Sequence, residues 1–202
     1  RVIGELDYLF EHQGQIEHWE TAVKFYLQND TSMELNQFIG PKASDNLELK
    51  LSRILDHQLS MGQHPMTQQV PGVQGRPVNS RAFVRGCLFY RATEESERRA
   101  PNPVSPEHGT GWWRDAHECP LPQSSPDHAW FKADKPNWLA PLRLNHSSSL
   151  ELMFQSEVEP FVLDHFDNAG YPLLMVEVQR VGSLWEEVSR GFIVSSTWPT
   201  KG

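Results

Sequence analysis

The chain has 202 residues, with 18 Lys and Arg against 26 Asp and Glu for a net charge of −8, 38% hydrophobic residues, 15 prolines, 7 tryptophans and 2 cysteines. This suffices for one domain with a buried core, or a domain plus an extension, and excludes a collagen-like chain or a disulfide-stapled mini-protein. It also argues against a histone-like coat on nucleic acid, because an acidic chain repels phosphate except where basic groups cluster.

The first residue is Arg, not Met, and the opening run already reads as strand, so the expectation is a chain that starts inside a larger protein. Over residues 4–10, Leu6, Tyr8 and Phe10 alternate with Glu5, Asp7 and Leu9, the period of a strand. Residues 11–15 are polar around Gly14, which predicts a hairpin, and the return strand spans 16–27 with Trp19, Val23, Phe25 and Tyr26. After a loop carrying Gly40-Pro41, Ser44 or Asp45 caps a predicted helix that closes near Gly62. Leu47, Leu51, Ile54 or Leu55, and Gln58 or Leu59 form its apolar stripe, and Lys50, Arg53 and His57 form a second stripe one turn apart. Residues 81–91 read as a strand buried on both faces.

Eight prolines and four tryptophans (Trp112, Trp113, Trp130 and Trp138) then fall between residues 101 and 141. Disordered tethers are poor in aromatics, so 101–148 is expected to be an ordered, irregular arm packed on the domain. A helix is predicted over 149–168 with a break or restart at Pro160, then a hairpin from 171–181 and 185–195 turning at Gly182-Ser183. No window approaches the roughly 18–20 apolar residues of a membrane span. Cys87 lies in an apolar run and Cys119 precedes a proline, so the default expectation is a reduced, cytoplasmic protein without membrane contact.

The chemistry-bearing unit is the first hairpin. Glu20, Ala22 and Lys24 project from one face of its second strand, with Glu20 and Lys24 roughly 13 Å apart along it, and Asp7 can be brought across from the first strand. Two carboxylates offer hard oxygen ligands to Mg²⁺, which lowers the pKa of a bound water and neutralises charge on a phosphodiester. A lysine beside them can orient the attacking water or hold the scissile phosphate. By pattern alone, a solvated hairpin face with a cross-strand ion pair accounts for the same residues.

The stretches 4–10 (Gly-Glu-Leu-Asp-Tyr-Leu-Phe) and 18–27 (His-Trp-Glu-Thr-Ala-Val-Lys-Phe-Tyr-Leu) resemble a bacterial family known as domain of unknown function 1853. So do Gly40-Pro41, Leu49-Lys50-Leu51, residues 55–59, Gly111-Trp112-Trp113, residues 138–141, residues 190–194 and Trp198-Pro199. Such proteins look like members of the PD-(D/E)XK superfamily. The resemblance implies an α/β, restriction-endonuclease-like core at 1–100, with its first helix and first strand preceding Arg1. The arm at 101–148 and a helix-plus-hairpin extension at 149–202 would follow. It implies Asp7, Glu20 and Lys24 as catalytic residues, Asp7 and Glu20 as ligands of Mg²⁺ or Mn²⁺, and nucleic acid as partner. The superfamily pattern carries an acid two residues before the lysine, where this chain has Ala22, so Glu20 must act from about 6–7 Å further along the strand. Two readings follow: a metal-dependent nuclease acting on DNA or RNA, and a catalytically silent nuclease-like scaffold that binds nucleic acid or a protein.

Gln58, His57 and Lys50 are accessory candidates, and Arg53, Arg81 and Arg85 are candidate phosphate contacts; a solvated helix stripe and a soluble edge strand explain them equally well. His108, His117, Cys119 and His128 match no compact zinc spacing. Trp112 and Trp113 read as anchors of the arm, Glu177 as a buried carboxylate with a structural partner, and Asn145-His146-Ser147 as a merely formal glycosylation sequon. Residues 1–100 carry 11 Lys and Arg against 13 Asp and Glu, whereas 101–202 carry 7 against 13, so most of the acidity lies away from the hairpin.

Overall fold

A computed structural model describes residues 4–92, 98–118, 121, 125–145, 152–168 and 170–200. The first hairpin forms as its alternation requires: β1 (Tyr8–His12) runs antiparallel to β2 (Gln15–Gln28), with Tyr8 opposite Trp19 and His12 opposite Gln15. Pairing starts later than expected, at Tyr8, leaving residues 4–7 unpaired ahead of it. The short β3 (Phe38–Ile39) pairs with the end of β2.

A helical crossover follows. It opens as α1 (Leu47–Ser52), widens into one π-helical stretch (Arg53–Gln58) and tightens into a 3₁₀ turn (Leu59–Gln63). Its cap is Asn46, not Ser44 or Asp45: the Asn46 side chain accepts from Leu49 N at 2.9 Å, which frees Asp45 for other work. Leu47 and Ile54 are buried as expected, while Leu55 is half exposed. The crossover delivers β4 (Val78–Arg91) parallel to β2, with Glu20 beside Ala82 and Lys24 beside Gly86.

The stretch expected as an irregular arm supplies strands to the same sheet. β5 (Gly109–Asp115) pairs parallel to β4; β6 (His128–Lys132) and β7 (Arg143–Asn145) follow. Its proline content had masked short strands whose aromatics alternate between two buried faces. After β8 (Leu152–Met153), α2 (Gln155–Asn168) runs through Pro160 without the expected break. The start of that predicted helix, 149–151, lies outside the described residues. The final hairpin is as predicted: β9 (Leu173–Val181) and β10 (Leu184–Val194) turn at Gly182-Ser183.

The result is a mixed α/β protein around a ten-stranded sheet, ordered β1-β2-β4-β5-β10-β9-β6-β8, with β3 against β2 and β7 against β10. The two helical segments share one face of it. Leu47 joins Tyr26, Leu88 and Tyr90, and Val158 and Val162 of α2 join Trp130, Leu173 and Met175. The opposite face is closed over β5, β10 and β9 by Ala133, Leu142 and Leu144, with Trp138 and Trp198 at its edge. Over β1, the first part of β2 as far as Val23 and the first half of β4 it stays open, with Tyr8, Trp19, Val23 and Phe83 exposed. No described helix is long and apolar enough to cross a membrane.

Candidate functional site

Alternation along β2 puts His18, Glu20, Ala22, Lys24 and Tyr26 on the face that the helical crossover covers. Glu20 is 2% exposed and His18 is fully buried. A buried carboxylate persists only when its lone pairs are matched. Here His18 Nε2 lies 2.8 Å from Glu20 Oε1, Asp7 N donates to the same oxygen at 3.4 Å, and Gln58 Nε2 donates to Oε2 at 2.6 Å. His18 Nδ1 meets Ser80 Oγ at 3.0 Å, which fits a ring proton on Nε2 directed at Glu20. Gly62 lets the end of the crossover settle here, since a Cβ would stand 2.2 Å from Ser80 Oγ and 3.0 Å from His18 Nδ1.

Asp7 stands just ahead of β1, where the edge of β2 has run past its partner. Its Oδ2 accepts from Thr21 N at 2.7 Å and Thr21 Oγ1 at 3.1 Å, completing the hydrogen bonding of that edge. Asp7 Oδ1 has no partner among the described residues, and Glu20 Oε2 has Gln58 alone. Asp7 thus keeps an open oxygen, whereas both oxygens of the buried Glu20 are engaged.

Two turns of strand further on, Lys24 Nζ lies 3.7 Å from Asp45 Oδ2, which also accepts from the Tyr26 hydroxyl at 3.2 Å. Burial and the Asp45 charge push the Tyr26 phenol well above its ordinary range. Lys50 approaches the same region from α1. Burial lowers its ammonium from the ordinary value, the neighbouring Lys24 and Arg53 charges lower it further, and Asp7 and Glu20 partly offset them. Three cations (Lys24, Lys50 and Arg53) and three carboxylates (Asp7, Glu20 and Asp45) therefore lie in one region.

Of the sequence candidates, Asp7, Glu20, Lys24, Gln58, Lys50 and Arg53 come together on this face. His57 is exposed, with its ring Cε1 3.8 Å from where a Cβ on Gly4 would stand, and it makes no hydrogen bond to Asp7, Glu20 or Lys24 among the described residues. Arg81 and Arg85 belong to the opposite face of the sheet: Arg81 Nε donates to Glu17 at 2.9 Å, and Arg85 lies over the Phe83 ring at 4.9 Å. Ser80 and His18 have no role in the sequence reading of the site, and Asp45 figures there only as a candidate helix cap. The i, i+2 spacing of His18 and Glu20 was a usable signal for His18, whereas Asp45 meets Lys24 only through the chain path of the Gly40 loop.

Elsewhere, His108 bonds Tyr90 and His128 bonds Glu177, while Cys119 lies outside the described residues. Trp113 donates to Gln28 O at 2.8 Å and anchors β5 to β2. No group of three or more His, Cys, Asp or Glu suited to a metal ion occurs among the described residues.

A family model described as a domain of unknown function, DUF1853, matches residues 1–194. The chain belongs to that family. No curated protein and no solved structure matches it. The stretches by which it resembles DUF1853 divide into two groups in space. One group holds the site: 4–10, 18–27, 49–51 and 55–59. The other is architectural, for Arg190 binds the carbonyls of Trp138 and Ala140, and Trp198 packs on Trp113 at 4.9 Å.

Proposed function

We propose that the protein is a divalent-metal-dependent nuclease built on a PD-(D/E)XK-like core, hydrolysing phosphodiesters of DNA or RNA at the Glu20–Lys24 face. The observation that carries this reading is the convergence of Asp7 from the segment ahead of β1, Glu20 and Lys24 from β2, and Lys50 and Gln58 from the crossover. A strand hairpin, a helical crossover and a parallel strand is also the order that the resemblance implies for the later part of such a core.

Asp7 Oδ1 is free to ligate a hydrated Mg²⁺ or Mn²⁺, which takes one or two carboxylates and fills its remaining positions with water and phosphate oxygens, and Glu20 would join it by giving up its Gln58 bond. The ion would acidify a bound water and offset phosphate charge. Lys24 and Lys50 supply positive charge where the pentacovalent phosphate accumulates negative charge. Asp45 restrains the Lys24 ammonium, and Gln58 with His18 fixes the Glu20 rotamer, so the groups need little reorganisation when substrate arrives.

A second reading, a silent scaffold, draws support from Ala22 and from Asp7, whose carboxylate already serves Thr21. One assay separates them: cleavage of a mixed DNA and RNA pool with Mg²⁺ or Mn²⁺, against a chelator control. Metal-dependent cleavage that falls at least about 100-fold in Lys24→Ala is the expected result, the scale of losing one preorganised charge-stabilising group. Cleavage unaltered by that substitution removes Lys24 from the mechanism, and no cleavage by the wild type leaves the scaffold.

A further inference from the structure

Beside Lys24 the same face opens into a cleft of about 370 Å³, within the range of about 300–1,000 Å³ common for small-ligand sites. Leu47 and Leu51 of α1 form one side, Val84 of β4 lies in the floor, and the 103–109 segment forms the far wall through Val104, Glu107 and His108.

The floor is bare next to Lys24. Gly86 pairs with Lys24, has φ +145°, and a Cβ there would stand 1.6 Å from Lys24 O, so no side chain can occupy that point. The far wall is held in place without a ligand. Tyr90 Oη lies 2.7 Å from both Arg99 O and His108 Nε2, His108 Nδ1 lies 3.0 Å from Ser105 O, and Val104 N donates to Pro101 O at 2.7 Å. Burial raises the Tyr90 phenol to about 12, so it remains protonated at neutral pH.

Polarity runs across the cleft. A cation, Lys24, marks the end nearest Glu20, apolar walls follow, and the exposed Glu107 and Ser105 mark the far rim. Lys24 on β2 and Gly109 on β5 are separated by β4, hence by about 10 Å, the reach of one phosphate–sugar–base unit. We propose that the cleft is a nucleotide pocket: the backbone phosphate of a single strand lies against Lys24, and its attached base enters between Leu51, Val84 and Val104. This rests on the nuclease reading for the phosphate at Lys24 and adds the unit recognised beside it.

The test measures binding of adenosine 5′-monophosphate, a single-stranded trinucleotide and inorganic phosphate by calorimetry. It compares the wild-type chain with Val104→Trp and Leu51→Trp, which fill the cleft from opposite walls. Circular dichroism identifies which variants fold. The expected result is at least tenfold tighter binding of both nucleotide ligands than of phosphate, with the excess lost in a folded Trp variant and phosphate affinity retained. The proposal is overturned if nucleotides bind no tighter than phosphate, if the excess survives in a folded filled variant, or if the mononucleotide binds and the trinucleotide does not. Nucleotide binding with this pattern but no metal-dependent cleavage rejects the nuclease reading and keeps the pocket; cleavage without the excess rejects the pocket alone.

Discussion

Two buried ionic centres lie in the two halves of the sheet, and they are finished to different degrees. In the C-terminal half, Arg190 is 7% exposed and meets Glu187 through Nε at 2.5 Å and Nη2 at 2.7 Å. Its remaining donors reach Trp138 O and Ala140 O at 2.7 and 2.8 Å, and Glu187 also accepts from Leu142 N at 2.7 Å. Each charge there has a partner of opposite sign, and the effect is to pin residues 138–142 onto β10. The Glu20 centre is different. Glu20 meets His18, Gln58 and the Asp7 backbone N–H and no Lys or Arg, Lys24 is paired with Asp45 yet shares its field with Lys50 and Arg53, Gln58 Oε1 is buried without a partner among the described residues, and a cleft opens alongside. The matched centre does structural work; the Glu20 centre holds three cations in one field beside a cleft, the features on which the nuclease proposal draws.

Removing one partner from each centre gives the sharpest contrast. Arg190→Ala leaves Glu187 buried with uncompensated charge, and breaking such a pair costs about 3–5 kcal/mol. That is a large share of a domain's total stability, about 5–15 kcal/mol. Urea titration followed by tryptophan fluorescence reads it directly, and a loss under about 1 kcal/mol would break the comparison. Glu20→Gln keeps the shape and most of the hydrogen bonding. Its stability is expected to change by no more than about 1–2 kcal/mol, while metal-dependent cleavage falls at least about 100-fold. Comparable stability losses in the two variants, with cleavage retained in Glu20→Gln, would make both centres structural.

How far the sequence foretold this arrangement differs between the same two regions. Around Glu20 the signals are local: strand alternation places Glu20 and Lys24 on one face, a glycine turn fixes the hairpin, and helical spacing brings Lys50 and Gln58 to one crossover. The Arg190 centre depends on contacts some fifty residues apart, between a proline-rich loop and the last strand, and no short-range pattern encodes those. For the same reason β5 and β6 were hidden inside a stretch that reads as irregular. The central residues of β6 are buried on both faces, so the alternation that marks a half-exposed strand is absent there. The cap is an instructive local miss. Ser44, Asp45 and Asn46 are all competent, and the choice of Asn46 releases Asp45 to reach Lys24.

The smallest expected effect tests the shared field of those cations. Lys50 is an ammonium whose folded state is disfavoured by burial and by Lys24 and Arg53, so its folded pKa lies below the ordinary value of 10.5. Between those two values the unfolded chain binds more protons than the folded one, and this group therefore makes stability rise with pH. Below the folded value the ammonium is charged in both states and the full penalty is present. Lys50→Met should accordingly be more stable than wild type at pH 7, by about 0.5 kcal/mol or less because the group is partly exposed. The advantage should shrink as pH climbs toward 10.5. Tyr26 and Tyr90 act in the opposite sense at high pH, since their raised phenol pKa values favour the folded state's protonated form, but they are common to both proteins and cancel in the difference. The same substitution should weaken oligonucleotide binding and flatten its salt dependence, because one phosphate contact is lost. A variant that is both more stable and a poorer binder identifies Lys50 as a charge held for a ligand. A Lys50→Met protein less stable at pH 7 would instead place that ammonium among the matched charges, with Arg190.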